Sequence, residues 1–291
     1  MIAAMCIMSM KSINMEANDF VDFHIHSCAS DGTWTPDQLV QKALEADLKL
    51  IAVTDHDCMD SVDRVVKLAK LAGIHAVPGV EVCSTKEGLQ FHILGYGVDV
   101  HNPVLRRITD HNNQLLLDKD VDSIGILQME GWPVSVEEFN AYTYDRCRGG
   151  WASLAYLIDK KLCTGVYDYF NRIFTAEHAL AFPTFASVSE VVDAIHGAGG
   201  VAVCAHAASG FHTKDVRRNL ELLKEENLDG FECYHSGHDE VGTNLLLRYC
   251  QEHDLLITAG SDCHGSFVPG RRIGVPRVRY EQIRLREELI R

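Results

Sequence analysis

The sequence has no long uncharged apolar run and no CxxC pair, and each absence excludes a class of protein. No apolar run reaches the roughly 18 residues that a membrane-spanning helix needs, so we expect a soluble protein. Ten cysteines spread over 291 residues do not resemble the framework of a small secreted disulfide protein. We therefore expect a cytoplasmic protein with reduced thiols.

The sequence also has few basic residues: 27 Lys and Arg stand against 41 Asp and Glu, a formal charge of −14. No Lys/Arg stripe runs along the chain, so binding to long nucleic acids is not expected. A small phosphorylated substrate is still compatible with this charge, because bound metal ions would reverse the local field. Hydrophobic residues at 46% and charged residues at 23% are ordinary for a packed globular protein.

The first 18 residues contain five methionines and one cysteine, and Lys11 follows the apolar stretch rather than preceding it. This order differs from that of a secretory signal peptide. We interpret residues 1–18 as a loose tail, with Met1 and Met15 both open as the start.

From Phe20 onward, short β-branched runs alternate with helical stretches, which predicts an α/β fold with a mainly parallel sheet and right-handed crossovers. At least seven strand candidates favour a barrel. Strand signals nearly vanish between residues 100 and 182, where helical and aromatic segments predominate. We expect a barrel formed by residues 19–99 and 183–277, a helical insertion or cap domain at 100–182, and a charged helical tail at 278–291.

Fifteen histidines are the main anomaly of the composition, and many follow predicted strands. His24 and His26 alternate on the first strand, so their side chains share a face. The other candidates on or directly after later strands are His56, Glu81, His92, His206, Asp262 and His264. In an α/β barrel the C-terminal ends of the strands converge on one mouth, where active sites lie.

So many polar groups meeting in one pocket would be costly to bury without a partner. Divalent cations supply that partner. Imidazole and carboxylate ligands without thiolate suit Mn, Fe or Zn and fit a structural cysteine-rich zinc site poorly.

Taken together, the motifs resemble those of the PHP (polymerase and histidinol phosphatase) phosphoesterases, particularly stand-alone members with a helical insertion. They are His24-Ile25-His26, Thr54-Asp55-His56-Asp57, Gly79-Val80-Glu81, His92, His206 and Gly260-Ser261-Asp262-Cys263-His264. The resemblance runs from about Phe20 to Pro276. It implies a distorted (β/α)7 TIM-like barrel that holds three divalent metal ions, Mn²⁺ first, with Fe²⁺ and Zn²⁺ open. Ala207 departs from the family, which often has proline after the histidine.

The resemblance also implies how the ligands divide among the three ions. One ion would take His24, His26, Glu81 and Asp262; a second, bridged by Glu81, would take His92 and His206; a third would take Asp31, His56 and His264. A hydroxide bridging two ions would attack phosphorus in line.

Other candidate residues surround this centre. Asp55, with Asp57, is a candidate to orient ligands, and the stretch with His235 and His238 would lie beside the substrate phosphate, where one histidine would protonate the leaving oxygen. Candidate phosphate-binding arginines are Arg148, Arg271 and Arg272. Gly149-Gly150 replaces the Pro-His that often follows the family arginine, so the insertion lacks a histidine contact. Surface or capping functions stay open for all of these residues.

The leading functional hypothesis is a phosphatase of a small phosphomonoester, such as a 3′,5′-bisphosphonucleotide. A 5′→3′ exonuclease on short oligonucleotides and a histidinol-phosphate-type phosphatase are alternatives within the same chemistry. A noncatalytic metal-binding module and a metal-dependent amidohydrolase are alternatives from other classes.

Overall fold

The computed structural model describes residues 15–209, 212–213 and 215–290; the predicted N-terminal tail therefore lies almost entirely outside the described residues. Among these residues eight strands form one sheet, in which β1 to β7 follow chain order and β8 lies beside β1. The strands are β1 (Phe20–Ile25), β2 (Leu48–Val53), β3 (His75–Lys86), β4 (Leu89–Tyr96), β5 (Val201–Cys204), β6 (Gly230–His235), β7 (Leu256–Gly260) and β8 (Val278–Arg279).

The sheet curls into a nearly closed barrel, which confirms the predicted fold class. Closure occurs where β1 meets the segment that follows β7. The backbone N–H of His26 donates to the carbonyl of Cys263 at 2.9 Å, and the N–H of Asp262 donates to the carbonyl of His24 at 2.9 Å. These two bonds lie beside four of the sequence-predicted ligands, so the same contacts close the barrel and align the site.

Strand direction differs from the expected mainly parallel order at β4, which is antiparallel to both β3 and β5. Only Glu87 and Gly88 separate β3 from β4, and both have positive φ, at 50° and 75°. Two residues can form a hairpin but cannot form the crossover that parallel strands require. As a result, the beginning of β4 reaches the rim where the other central strands end.

Helices cover the outside of the barrel and build the insertion. They are α1 (Pro36–Glu45), α2 (Val62–Ala72), α3 (Pro103–Met129), α4 (Val136–Asn140), α5 (Ala152–Asp159), α6 (Val166–Asp168), α7 (Val188–Gly197), α8 (Val216–Leu223) and α9 (Glu240–Glu252). Thr35 caps α1 in a capping box with Gln38. Within the described residues, no helix combines the length and apolar character needed to cross a membrane.

One apolar cluster lies between the barrel and its helices, and a second fills the barrel interior. In the interior, Phe23 and Tyr96 meet edge to face at 5.4 Å, and the Tyr96 hydroxyl donates to the Phe23 carbonyl. The C-terminal residues Ile283, Leu285 and Leu289 pack against this interior cluster. After β8 the expected helical tail consists of two short 3₁₀ helices, Tyr280–Gln282 and Glu287–Ile290, rather than one continuous helix.

A third apolar cluster lies within the predicted insertion, including Ile124, Leu127, Leu157 and Tyr169. The insertion contacts the barrel through Phe267, which packs against this cluster, and through the Gly150 N–H, which donates to the Asp31 carbonyl at 2.8 Å. The insertion thus lies over the rim that carries the predicted ligands. The domain limits at residues 99, 182 and 277 stay predictions.

Candidate metal centre

The two histidines of β1 and the segment following it form the centre of the site. His24 and His26 are fully buried, and their rings lie 5.1 Å apart. Nε2 of His24 is 3.0 Å from Oε2 of Glu81, and Nε2 of His26 is 3.1 Å from Oδ1 of Asp262. The alternation read from the sequence therefore directs both imidazoles toward carboxylates from β3 and from the end of β7.

All nine predicted ligands meet at this rim in three overlapping groups, within each of which donor atoms lie within 4.8 Å of one another. The first group is His24, His26, Glu81 and Asp262; the second is Glu81, His92 and His206; the third is His26, Asp31, His56 and His264. Membership agrees with the division that the family resemblance implies, except that His26 also joins the third group. Each group consists of residue types that bind divalent cations in proteins.

Local backbone geometry turns several of these side chains inward. His206 and Asp262 lie two residues beyond the last residues of β5 and β7, and their φ angles are 32° and 52°. Such left-handed conformations cost about 1–3 kcal/mol each for residues with a Cβ and concentrate at functional sites. His92 reaches the group because reversed β4 pairs it with Cys83, two residues beyond Glu81 on β3.

The charges in the pocket shift protonation in opposite directions. Burial opposes charge on His24, but the carboxylates of Glu81, Glu232 and Asp262 outweigh it and raise the pKa of His24 well above its usual value. Burial lowers the pKa of His56 to about 4. Burial likewise opposes ionisation of Glu81, yet the surrounding imidazoles hold its pKa well below the usual range. Glu81 is therefore an anion surrounded by imidazoles that differ in protonation: His24 holds its proton more tightly than usual, and His56 less tightly.

Unsatisfied nitrogen atoms show that these side chains fit a bound cation. Both ring nitrogens of His26 and Nδ1 of His56 are buried without a hydrogen-bond partner of suitable geometry within the described part of the chain. Buried polar atoms are otherwise almost always paired, and leaving one unpaired costs about 1–3 kcal/mol. A divalent cation accepts the lone pairs that no donor reaches.

Two acidic residues that support the histidines are absent from the sequence-based ligand set. Glu232 of β6 accepts from the His206 N–H at 2.7 Å and lies 3.0 Å from Nδ1 of His24. Asp22, two residues before His24, accepts from the N–H groups of Ser261 and Gly274. The sequence signal for both residues is an acidic side chain within a mostly apolar strand.

Gly260 leaves room for this arrangement. A Cβ at Gly260 would lie 2.2 Å from both Glu232 Oε1 and His24 Cβ. Only glycine at the end of β7 lets the His24–Glu232 pair form.

Asp55 was predicted to orient metal ligands, but its carboxylate contacts serine donors rather than the imidazoles. Its carboxylate accepts from Ser27 N–H and Oγ and from Ser30 Oγ, each at 2.7 Å, and also from Ser61 Oγ. The serine donors occupy both oxygens, so Asp55 fixes the loop that carries Asp31. Asp57 instead accepts from Asn112 at 2.7 Å and fastens α3 to the rim.

The two candidate phosphate-site histidines differ in availability. Nδ1 of His235 accepts from the Gly237 N–H at 2.9 Å, which leaves the proton on Nε2, 3.4 Å from Oδ2 of Asp262. Both ring nitrogens of His238 bond to backbone, one to Ala208 N–H and one to the Cys233 carbonyl, each at 3.1 Å. The catalytic assignment of His238 stays a prediction, and this geometry favours His235, because both nitrogens of His238 are engaged.

The three candidate phosphate-binding arginines differ in their contacts. Arg271 forms an ion pair with Oδ2 of Asp262 and so lies at the site. Arg148 makes a two-pronged ion pair with Asp159 of α5 at 2.6 and 2.9 Å, which engages its guanidinium within the insertion. Arg272 is exposed. The structure brings Arg271 to the site, whereas phosphate binding by Arg148 and Arg272 stays a prediction.

Three comparisons with known proteins agree with this geometry. The PHP domain model matches residues 22–260. A 5′-3′ exoribonuclease from Haemophilus influenzae is 29% identical over 84% of this chain and 89% of its own length. A 3′,5′-nucleoside bisphosphate phosphatase from Chromobacterium violaceum is 25% identical over 87% of this chain and 90% of its own length.

A solved structure from Bifidobacterium adolescentis, assigned as a metal-dependent phosphoesterase, aligns with a TM-score of 0.76 and 27% identity over 89% of this chain and 93% of that one. Fold, relatives and the clustered donor groups agree with one another. The chain belongs to the PHP domain family and is a metal-dependent phosphoesterase.

Proposed function

We propose that the three donor groups hold three divalent cations, with Mn²⁺ as the native metal. The observation that carries this proposal is the convergence of nine imidazole and carboxylate side chains on one rim, where buried ring nitrogens of His26 and His56 make no hydrogen bond of suitable geometry within the described residues. Mixed nitrogen and oxygen ligands suit Mn²⁺, Fe²⁺ and Zn²⁺. Bound cations of this kind act as Lewis acids on phosphoryl oxygens and lower the pKa of coordinated water.

The proposed substrate is a nucleotide phosphorylated on both the 3′ and 5′ oxygens. The relative named as a 3′,5′-nucleoside bisphosphate phosphatase supports this assignment. A charge of −14 and the ion pairing of Arg148 within the insertion disfavour a long polyanion. Removal of the 3′-phosphate would release a nucleoside 5′-monophosphate and inorganic phosphate.

A second candidate is a 5′→3′ exonuclease on short 5′-phosphorylated oligonucleotides, which the relative named as an exoribonuclease favours. The two substrates share one element: each has a phosphorus bonded to O3′ of a nucleotide that carries a 5′-phosphate. They differ only in whether that phosphorus bears another nucleotide. The same donor groups can therefore serve either reaction.

The chain's own residues supply two further functions. Arg271 lies beside Asp262, where its guanidinium is available to a phosphate oxygen. His235 holds its proton on Nε2, which points into the site, so it is the donor we assign to the leaving oxygen. Asp55 and His238 position loops through their backbone and serine contacts.

We also assign the protein to the cytoplasm. The nine cysteines within the described residues are all free thiols. Free thiols at this number are typical of a reducing compartment.

Replacing both His24 and His26 with Ala removes the two imidazoles that the first donor group requires. We expect bound Mn²⁺ and phosphoesterase activity to fall together, the activity by about a thousandfold or more. Metal analysis and hydrolysis assays on the same preparation measure both. The control replaces the exposed His101 and His253 with Ala; a metal-free His24/His26 variant with full activity would refute the centre.

Glu232→Gln removes the charge that orients His24 while keeping the side-chain volume. We expect affinity for Mn²⁺ to fall by about 10- to 100-fold, as for other residues that orient metal ligands. Competition with a chelating dye measures this affinity. Glu252→Gln, on the exposed face of α9, is the matched control, and equal affinities in the two variants would contradict the assignment.

A substrate panel separates the two candidate reactions. We expect inorganic phosphate from a nucleoside 3′,5′-bisphosphate, and kcat/KM at least about tenfold lower for the corresponding 3′-monophosphate, because a doubly charged recognition group is missing. A 5′-phosphorylated trinucleotide tests the exonuclease reaction against its 5′-hydroxyl form. Faster cleavage of amide substrates than of any phosphate ester would overturn the proposed function.

His235→Asn removes the proposed proton donor. We expect kcat to fall by about 10²- to 10⁴-fold on the nucleotide, whose leaving alkoxide needs a proton, and far less on p-nitrophenyl phosphate, whose leaving group is a stable anion. His238→Asn should affect thermal stability without this dependence on the leaving group. An equal loss on both substrates in His235→Asn would argue against proton donation.

A further inference from the structure

A thiol lies within the wall of the metal centre, between two of its donor groups. Cys83 is buried, and its Sγ and the ring nitrogens of His56 and His92 all lie within 4.8 Å of one another. Glu81 and Cys83 are two residues apart on β3 and so face the same side. Cys83 is also directly opposite His92 in the β3–β4 ladder, where cross-strand Cβ atoms lie about 4.5–5.5 Å apart.

The two histidines of this set belong to different donor groups. His56 belongs to the group with Asp31 and His264, and His92 belongs to the group with Glu81 and His206. A cation held by His56, Cys83 and His92 would therefore withdraw one imidazole from each. The set carries sulfur, which the three groups of the proposed centre lack.

Ligand softness determines which cation such a set selects. Thiolate favours Zn²⁺ and other soft cations, whereas Mn²⁺ and Mg²⁺ prefer oxygen ligands. Zn²⁺ is commonly four-coordinate with two imidazoles and one or two thiolates. Glu81 offers a fourth ligand, since its carboxylate oxygens lie 3.3 Å from Nδ1 of His56 and 3.0 Å from Nδ1 of His92.

We propose that His56, Cys83 and His92 form an alternative site for a thiophilic divalent cation such as Zn²⁺ or Cd²⁺, whose occupation inhibits the enzyme. The proposal rests on the proposed function, because inhibition follows from withdrawing ligands of the catalytic centre. On binding, the thiol proton passes to solvent and the sulfur lone pair forms the bond to the cation. No electron transfer is involved.

The position of Cys83 distinguishes it from other thiols near the predicted ligands. Cys28, Cys58 and Cys263 join no group of three donor residues within the described part of the chain. Cys204 is equally buried, on β5, and its Sγ donates to the Ala205 carbonyl at 3.6 Å. Cys204 therefore provides a matched control.

The experiment adds Cd²⁺ to the Mn²⁺-loaded wild type, to Cys83→Ala and to Cys204→Ala. We expect an ultraviolet thiolate-to-cadmium charge-transfer band in the wild type and in Cys204→Ala, and its loss in Cys83→Ala. Inhibition by Cd²⁺, measured relative to each variant's own Mn²⁺-supported rate, should weaken about tenfold or more in Cys83→Ala, because one ligand is lost. Cys83→Ser repeats the test with a near-isosteric hydroxyl, should the alanine variant not fold.

The outcomes separate this proposal from the proposed function. A wild type that binds Mn²⁺ and turns over substrate, but gives the same cadmium band and inhibition as Cys83→Ala or Cys83→Ser, overturns the thiophilic site and leaves the phosphoesterase centre intact. Loss of the band in Cys204→Ala instead also overturns it. A wild type that binds no divalent cation overturns both proposals.

Discussion

The buried carboxylate of Glu81 is the interaction on which the site depends. Five imidazoles, those of His24, His26, His56, His92 and His206, lie 3.0–3.3 Å from its oxygens. The carboxylate stays ionised because of these neighbours, but they cannot all be charged, and burial lowers the pKa of His56 and His206. Protonation of the histidines alone therefore cannot satisfy all the polar atoms of the cluster. Cations, which each accept several lone pairs at once, satisfy the same atoms without this conflict.

Reversal of β4 is the second constraint, and it follows from a two-residue turn. In a strictly parallel barrel each strand would contribute to the rim only from its end. The β3–β4 hairpin instead extends one long strand past Glu81 and returns its partner in register, which places Cys83 and His92 face to face. One turn therefore adds two potential ligands to the wall, an imidazole and a softer thiol, beside a single carboxylate.

The sequence predicted the barrel and the meeting of eight of the nine side chains because strand ends and alternation are local patterns that the fold brings to one rim. Asp31 was predicted only through the family resemblance. It could not predict partners fixed by tertiary structure. Arg148 carries no local sign that Asp159 engages it, and Asp55 no sign that three serines do. In the sequence, Glu232 is recognisable only as an acid within a mostly apolar strand. The same pattern occurs in strands that have one exposed face, so it does not by itself indicate a functional residue.

The rim beside the metal centre has an apolar edge where the insertion meets the barrel. Gly149 and Gly150 have φ of 79° and 75°, and a Cβ on either would lie less than 3.0 Å from the Phe267 side chain. Phe267 thus occupies the space that side chains of the insertion loop would fill, 6.3 Å from the His264 ring. The rim is therefore aromatic at this point. Under the proposed function the donor groups hold the reacting phosphorus, so the remainder of the substrate would meet this apolar edge and contribute to substrate choice.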